Sequence, residues 1–102
     1  MKFPSWVSAP HHGRKAPPEV VAKRRLSYIV RRLALEHEPT GSLSDLGERV
    51  GILSSQFSLA FRSGRFTQRQ AETIESALGR RVVKKEHLMY PLDIEESNKD
   101  EL

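Results

Sequence analysis

The chain of 102 residues contains no cysteine. That absence excludes a disulfide scaffold, a thiol-dependent enzyme and a cysteine-ligated zinc finger. No stretch approaches the ~18 consecutive apolar residues of a membrane-spanning helix, so no membrane partner is expected. The first ten residues lack an apolar run of signal-peptide length, and a cytoplasmic location is therefore expected. Catalytic groupings are also missing. Glu36, His37, Glu38 and Glu48 form no nucleophile–base or metal constellation, and Glu86-His87 lacks the second histidine of a metal-binding helix motif. His11 and His12 are adjacent in a proline-rich stretch, which is a poor metal site. Neither enzymatic activity, nor a metal, nor a cofactor is expected. The final Lys99-Asp100-Glu101-Leu102 matches the endoplasmic-reticulum retention address. That address operates only on chains that enter the lumen, so it is read as a chance product of a charged tail.

Hydrophobic residues at 37% and charged residues at 29% are enough for one small domain with a core. The charge is unevenly divided. Of 17 Lys and Arg and 13 Asp and Glu, residues 88–102 hold one base, Lys99, and five acids. Residues 1–87 therefore hold 16 bases and eight acids, a net of +8 against −4 beyond. A basic body with an acidic end points to an anionic partner, most often nucleic acid.

The pattern divides the chain into three parts. Residues 1–17 hold three of the six prolines and few apolar side chains, and are expected to form a flexible basic arm. Residues 18–92 are expected to form a helical domain, and residues 93–102 an acidic disordered tail. Pro18 suits the first turn of a helix, which continues to Glu38 and ends at Pro39 and Gly41. Ala22, Leu26, Ile29 and Leu33 fall on one face of it. A second seam, Val21, Tyr28 and Leu35, is either a widening of the core face or a dimer contact, and the first reading is preferred. Three helices follow: one capped by Ser42, one capped by Ser54 and stopped at Gly64, and one opened by Thr67 with Gln70 in a capping box. Phe66 is expected to staple onto Ala71. A short turn or helix spans residues 85–90 before Pro91.

The most informative segment is Leu43–Gly64, LSDLGERVGILSSQFSLAFRSG. Leu46, Val50, Ile52, Phe57, Ala60 and Phe61 occupy its inward positions. Gly51 permits the positive φ of a tight turn between two short helices, and Gly47 lets them cross closely. This segment resembles the helix-turn-helix of the lambda repressor/Cro-like family of DNA-binding regulators. Gly64-Arg65-Phe66, Ile74-Glu75, Gly79 and Leu88 near Pro91 are similar to the later helices of small phage Cro-type proteins, so the resemblance covers about half the chain, Leu43 to Leu92.

The resemblance implies an all-α fold of four to five helices with a central helix-turn-helix, and a sequence-specific regulator of transcription that binds double-stranded DNA. The helix from Ser55 to Ser63 would lie in the major groove. Ser54, Ser55, Gln56, Ser58, Leu59 and Arg62 would face the DNA. Gln56 would meet either an adenine edge or the backbone, the serines bases or phosphates, and Leu59 a thymine methyl. Arg62, Arg65 and Arg69 would hold phosphates, with another at the amide end of the helix that Ser42 opens. The chain departs from the family pattern at Gly47, where alanine is usual, at Leu59, where a polar or basic reader is common, and in its long first helix. A homodimer on an inverted-repeat operator is expected. Its contact comes from Val21, Tyr28 and Leu35 or from Val82, Met89, Leu92 and Ile94, with the second set preferred. The rival is an antitoxin- or antirepressor-like module on the same fold that grips a partner protein. RNA binding ranks third, because no aromatic stacking platform is visible.

Overall fold

Pro17 and Pro18 set the start of the longest helix in a computed structural model that describes residues 1–95. This helix, α1 (Pro18–His37), buries Leu26, Ile29, Val30, Leu33 and Ala34. It is a single stripe broadened by one residue per turn, which suits a helix covered along its length. After the Pro39–Gly41 break come α2 (Leu43–Val50) and α3 (Ser54–Ser63), then α4 (Gln68–Leu78) and the short α5 (Lys85–Met89). Short 3-10 turns lie at Ser5–Ser8 and Pro91–Asp93. Among the described residues there is no strand, and His11 and Arg14 form one isolated bridge. The all-α architecture expected from the sequence is therefore present at the level of fold class.

Local chemistry accounts for most helix ends. The Ser42 hydroxyl accepts from the Asp45 amide at 3.3 Å and opens α2. Thr67 and Gln70 bond reciprocally, each at 3.2 Å, at the start of α4. Phe66 and Ala71, the expected staple pair, are both buried. The α3 start differs from expectation: Leu53, not Ser54, is the cap residue, and it offers no side-chain oxygen. The Gln56 side chain reaches back instead, accepting from the Leu53 amide at 2.8 Å. Leu26, Val30, Leu46, Phe66 and Leu88, from across the fold, are the largest side chains that are fully enclosed. α1 packs on α2 and α3, while α4 bridges α2 and α5.

The ends of the domain overturn two expectations. Residues 1–17 are not a free arm, because Phe3, Val7 and Ala16 are buried. The Arg24 guanidinium donates to the carbonyls of Ala9 (2.6 Å), Trp6 (3.3 Å) and Val7 (3.4 Å), strapping the segment to α1. Phe3 and Trp6 both meet Tyr28 edge-on, with ring centroids 5.8 and 6.3 Å away. The second seam of α1 is thereby largely a core face, with Val21 and Tyr28 packed against the core and Leu35 left exposed. At the other end Arg25 donates to the carbonyls of Pro91 (3.0 Å), Ile94 (3.1 Å) and Leu92 (3.4 Å), while its guanidinium carbon sits 4.6 Å from the centre of the Phe3 ring. Ile94 is buried and the Met1 ammonium donates to the Glu95 carbonyl at 3.0 Å. Residues 93–95 are thus part of the packed domain rather than of a disordered tail. The rest of that tail, residues 96–102 with the Lys99–Leu102 tetrapeptide, lies outside the described residues.

Candidate nucleic-acid interface

The candidate surface is built around the α2–α3 junction. Gly51 closes α2 in the left-handed region, with φ of +79°, and its amide bonds the Gly47 carbonyl at 2.8 Å. The Ile52 amide shares that carbonyl at 2.9 Å, so the chain reverses within one turn. A Cβ on Gly47 would lie 2.6 Å from the Ile52 carbonyl oxygen and 3.1 Å from the Phe57 ring. The missing side chain at this position is what lets the turn fold down onto α2. Leu46, Val50, Ile52, Phe57 and Ala60 are buried as the inward set requires, and Phe61 is half-buried.

With that face fixed, the 100° step of a helix determines the other side of α3. Ser55, Ser58, Leu59 and Arg62 are all exposed and form a stripe opposite the buried Phe57 and Ala60. Ser54 is exposed beside them at the first turn. Gln56 lies on the flank, half-buried, with its carbonyl oxygen committed to the Leu53 amide. That bond takes one of the oxygen's two lone pairs and holds the side chain against the turn, so a bidentate donor–acceptor pair with an adenine edge competes with the cap geometry. Leu53, which the sequence reading left out, is 68% exposed in the turn just ahead of the stripe, and Leu59 is 59% exposed within it. The signal for Leu53 was its place between buried Ile52 and the first turn of α3, where no inward position remained for it.

The cations divide into two groups. Arg62, Arg65 and Arg69 are exposed and make no ion pair among the described residues. Arg65 follows the left-handed Gly64, which has φ of +85°. It borders a shallow depression shared with Ser63, Thr67, Gln68, Met89 and Tyr90. A Cβ at Gly64 would lie 3.3 Å from Lys23 Cγ, which places Lys23 at the same end of α3. Arg24 and Arg25, by contrast, are spent on main-chain carbonyls, and Arg49 pairs with the buried Glu38. Ser42 sits at the amide end of α2 as expected. The Asp45 carboxylate, which accepts from the Thr40 hydroxyl, already places a negative charge in that first turn.

No family model matches the chain, and no curated protein or solved structure matches it.

The C-terminal end of α5, where His87 lies, would by itself favour the charged form of that side chain. Burial instead pushes its pKa below the ordinary histidine value, aided by the nearby Lys84. Its ring lines a small cleft with Met1, Ile29, Arg32, Leu33, Glu36, Val82 and Val83. Among the described residues no group of three or more His, Cys, Asp or Glu is placed to hold a metal ion, and no helix is long and apolar enough to cross a membrane.

Proposed function

We propose that the chain is a sequence-specific, double-stranded-DNA-binding regulator of transcription, similar to the lambda repressor/Cro-like family and to small phage Cro-type repressors within it. α2 and α3 act as its helix-turn-helix, with α3 in the major groove. The observation that carries this reading is the exposed stripe of Ser55, Ser58, Leu59 and Arg62, raised clear of the core directly after the Gly51 turn. Arg62, Arg65 and Arg69 are free to neutralise phosphates, and the net charge of +8 over residues 1–87 supplies the long-range attraction. Occupying an operator in the cytoplasm of a bacterial or phage-infected cell would block or recruit polymerase.

Pairing of two copies would bring two such helices to half-sites about one helical turn apart. Ile94 is buried within its own chain and Met89, Val21 and Tyr28 pack against the core. The large apolar side chains left exposed away from the α2–α3 junction are Trp6, Leu35 on α1, and Val82, Tyr90 and Leu92 after α4, and a dimer contact would draw on these. The second reading, a protein-binding module on the same fold, is favoured by one specific observation: Leu35, Leu53 and Leu59 are all largely exposed.

Selection of bound duplexes from a random pool, repeated at two salt concentrations, separates the two. The DNA reading expects enrichment of an inverted repeat and affinity that falls steeply with salt. Arg65→Ala should flatten that salt slope by about one unit while lowering affinity for all duplexes alike. Absence of enrichment together with indifference to salt refutes DNA binding and favours the protein partner.

A further inference from the structure

The outward stripe of α3 has an unusual chemistry for a surface proposed to read bases. Discrimination of guanine commonly uses a bidentate arginine or lysine, and discrimination of adenine a bidentate asparagine or glutamine. The middle of this stripe has neither. Gln56 is turned to the flank with its carbonyl oxygen bound to the Leu53 amide, and Arg62 lies at the far end, two residues before the Gly64 stop. What remains on the stripe is Ser55, Ser58 and Leu59, with Ser54 beside its first turn and the exposed Leu53 just ahead of it.

Leu59 is four residues after Ser55, one turn along the same face, and directly opposite the buried core positions of α3. Leu53 projects from the turn before the helix. An aliphatic side chain in the major groove has one complementary feature among the four bases, the C5-methyl group of thymine. Serine hydroxyls accept or donate to any of several base edges and therefore add affinity with little discrimination.

We propose, resting on the DNA-binding reading above, that α3 selects thymine-containing half-sites through their methyl groups, with Leu59 as the principal specificity-determining side chain and Leu53 as a second. Duplex DNA is favoured over a protein as the occupant of these leucines by charge. Arg62 shares the stripe of Leu59, Arg65 and Arg69 are exposed without an ion pair in the segment that follows, and no acidic side chain occurs in the sequence between Leu53 and Gln70.

The experiment takes a duplex selected by the wild-type chain and replaces its thymines one at a time with deoxyuridine, which differs only by the missing methyl. Affinity is measured for the wild type and for Leu59→Ala and Leu53→Ala, both exposed positions where truncation leaves the core untouched. At one or two positions the methyl deletion should weaken the wild type about fourfold, the equivalent of ~0.8 kcal/mol for one apolar carbon. Leu59→Ala should weaken the thymine duplex by a similar factor and should be insensitive to deoxyuridine at the same position, so that the two changes do not add. Sequence-selective binding that is unaffected by deoxyuridine at every position overturns the methyl-reading proposal and leaves the DNA reading standing. Additive effects of Leu59→Ala and deoxyuridine at every position also overturn the role of Leu59. Failure of the wild type to select or bind any duplex overturns both, and a pair of exposed leucines without DNA affinity then belongs to a protein contact.

Discussion

Replacing Gly47 with alanine sets two known effects against each other. Alanine at a helix interior position is favoured over glycine by ~1 kcal/mol, so propensity alone raises stability. The structure opposes this. The new Cβ would stand 2.6 Å from the Ile52 carbonyl oxygen and 3.1 Å from the Phe57 ring. Ordinary contact begins at 3.4 Å, so the turn must retreat by about 0.8 Å along that line. The obstructing oxygen is main chain, in a turn already fixed by two amides on the Gly47 carbonyl, and Ile52 and Phe57 are both buried. Overpacking of this kind costs ~1–3 kcal/mol, with rigid surroundings at the upper end. The expected net is a loss of about 1–2 kcal/mol, or a Tm lower by at least about 4 °C for a chain of this size. Thermal and urea unfolding monitored by circular dichroism measure it. Gly51→Ala is the control, since nothing lies within 4 Å of its Cβ and any cost there arises from the positive φ alone. Unchanged or raised stability in Gly47→Ala would refute the close-approach argument, and would mean that the α2–α3 junction tolerates a methyl group at this position.

Gln56→Ala should lower stability by roughly 1 kcal/mol through loss of the bond to the Leu53 amide, whereas Gln56→Glu, which keeps an acceptor, should retain most of it; chemical denaturation of the pair checks this. Arg25→Met should release the 91–94 turn and the first residues together, since one guanidinium holds three carbonyls and covers Phe3, and limited proteolysis should then cut both segments sooner than in the wild type. His87 has its folded pKa below the ordinary value near 6.5, so the unfolded chain takes up its proton first as pH falls. Its contribution is therefore complete above about pH 6.5 and is lost as pH drops through the folded pKa; NMR titration should place the His87 midpoint below 6.5, and His87→Asn should reduce the acid-side fall in stability.

Helix limits were legible wherever a single residue type controls the backbone. Pro18 and Pro39 bracket α1, Gly51 and Gly64 each end a helix in the left-handed region, and the Thr67–Gln70 pair marks α4. The α3 cap was misplaced by one residue because Ser54 is a favourable cap by composition, yet the bond at that end comes from Gln56 three residues inside the capped position. Residues 1–17 were unreadable for a different reason. Only a few scattered apolar side chains enter the core there, with no period, and the segment is held by Arg24 acting on main-chain carbonyls 15 to 18 residues away and by Arg25 over the Phe3 ring. Sequence pattern registers neither. On the candidate surface, the exposure of Ser54, Ser55, Ser58, Leu59 and Arg62 followed from helix geometry once Phe57 and Ala60 were assigned inward. The engagement of Gln56 and the prominence of Leu53 depend on the turn between helices, whose conformation the residue types alone do not determine.

The grip of Arg25 on residues 91–94 also has a consequence for the order in which the chain assembles. Helical domains generally fold fast because their contacts join near neighbours in sequence. The α2–α4 stretch is of that kind. The Arg25 bonds, however, join residues 66 to 69 positions apart, and the Met1 ammonium bonds a carbonyl 94 positions away. Closing loops of that length costs entropy before any contact is gained. Ile94 and the Met1–Glu95 closure should therefore dock late, onto an α1 already seated on α2 and α3. Opening should run in the reverse order, with amide exchange around Ile94 governed by a partial unfastening that leaves the α2–α3 pair intact.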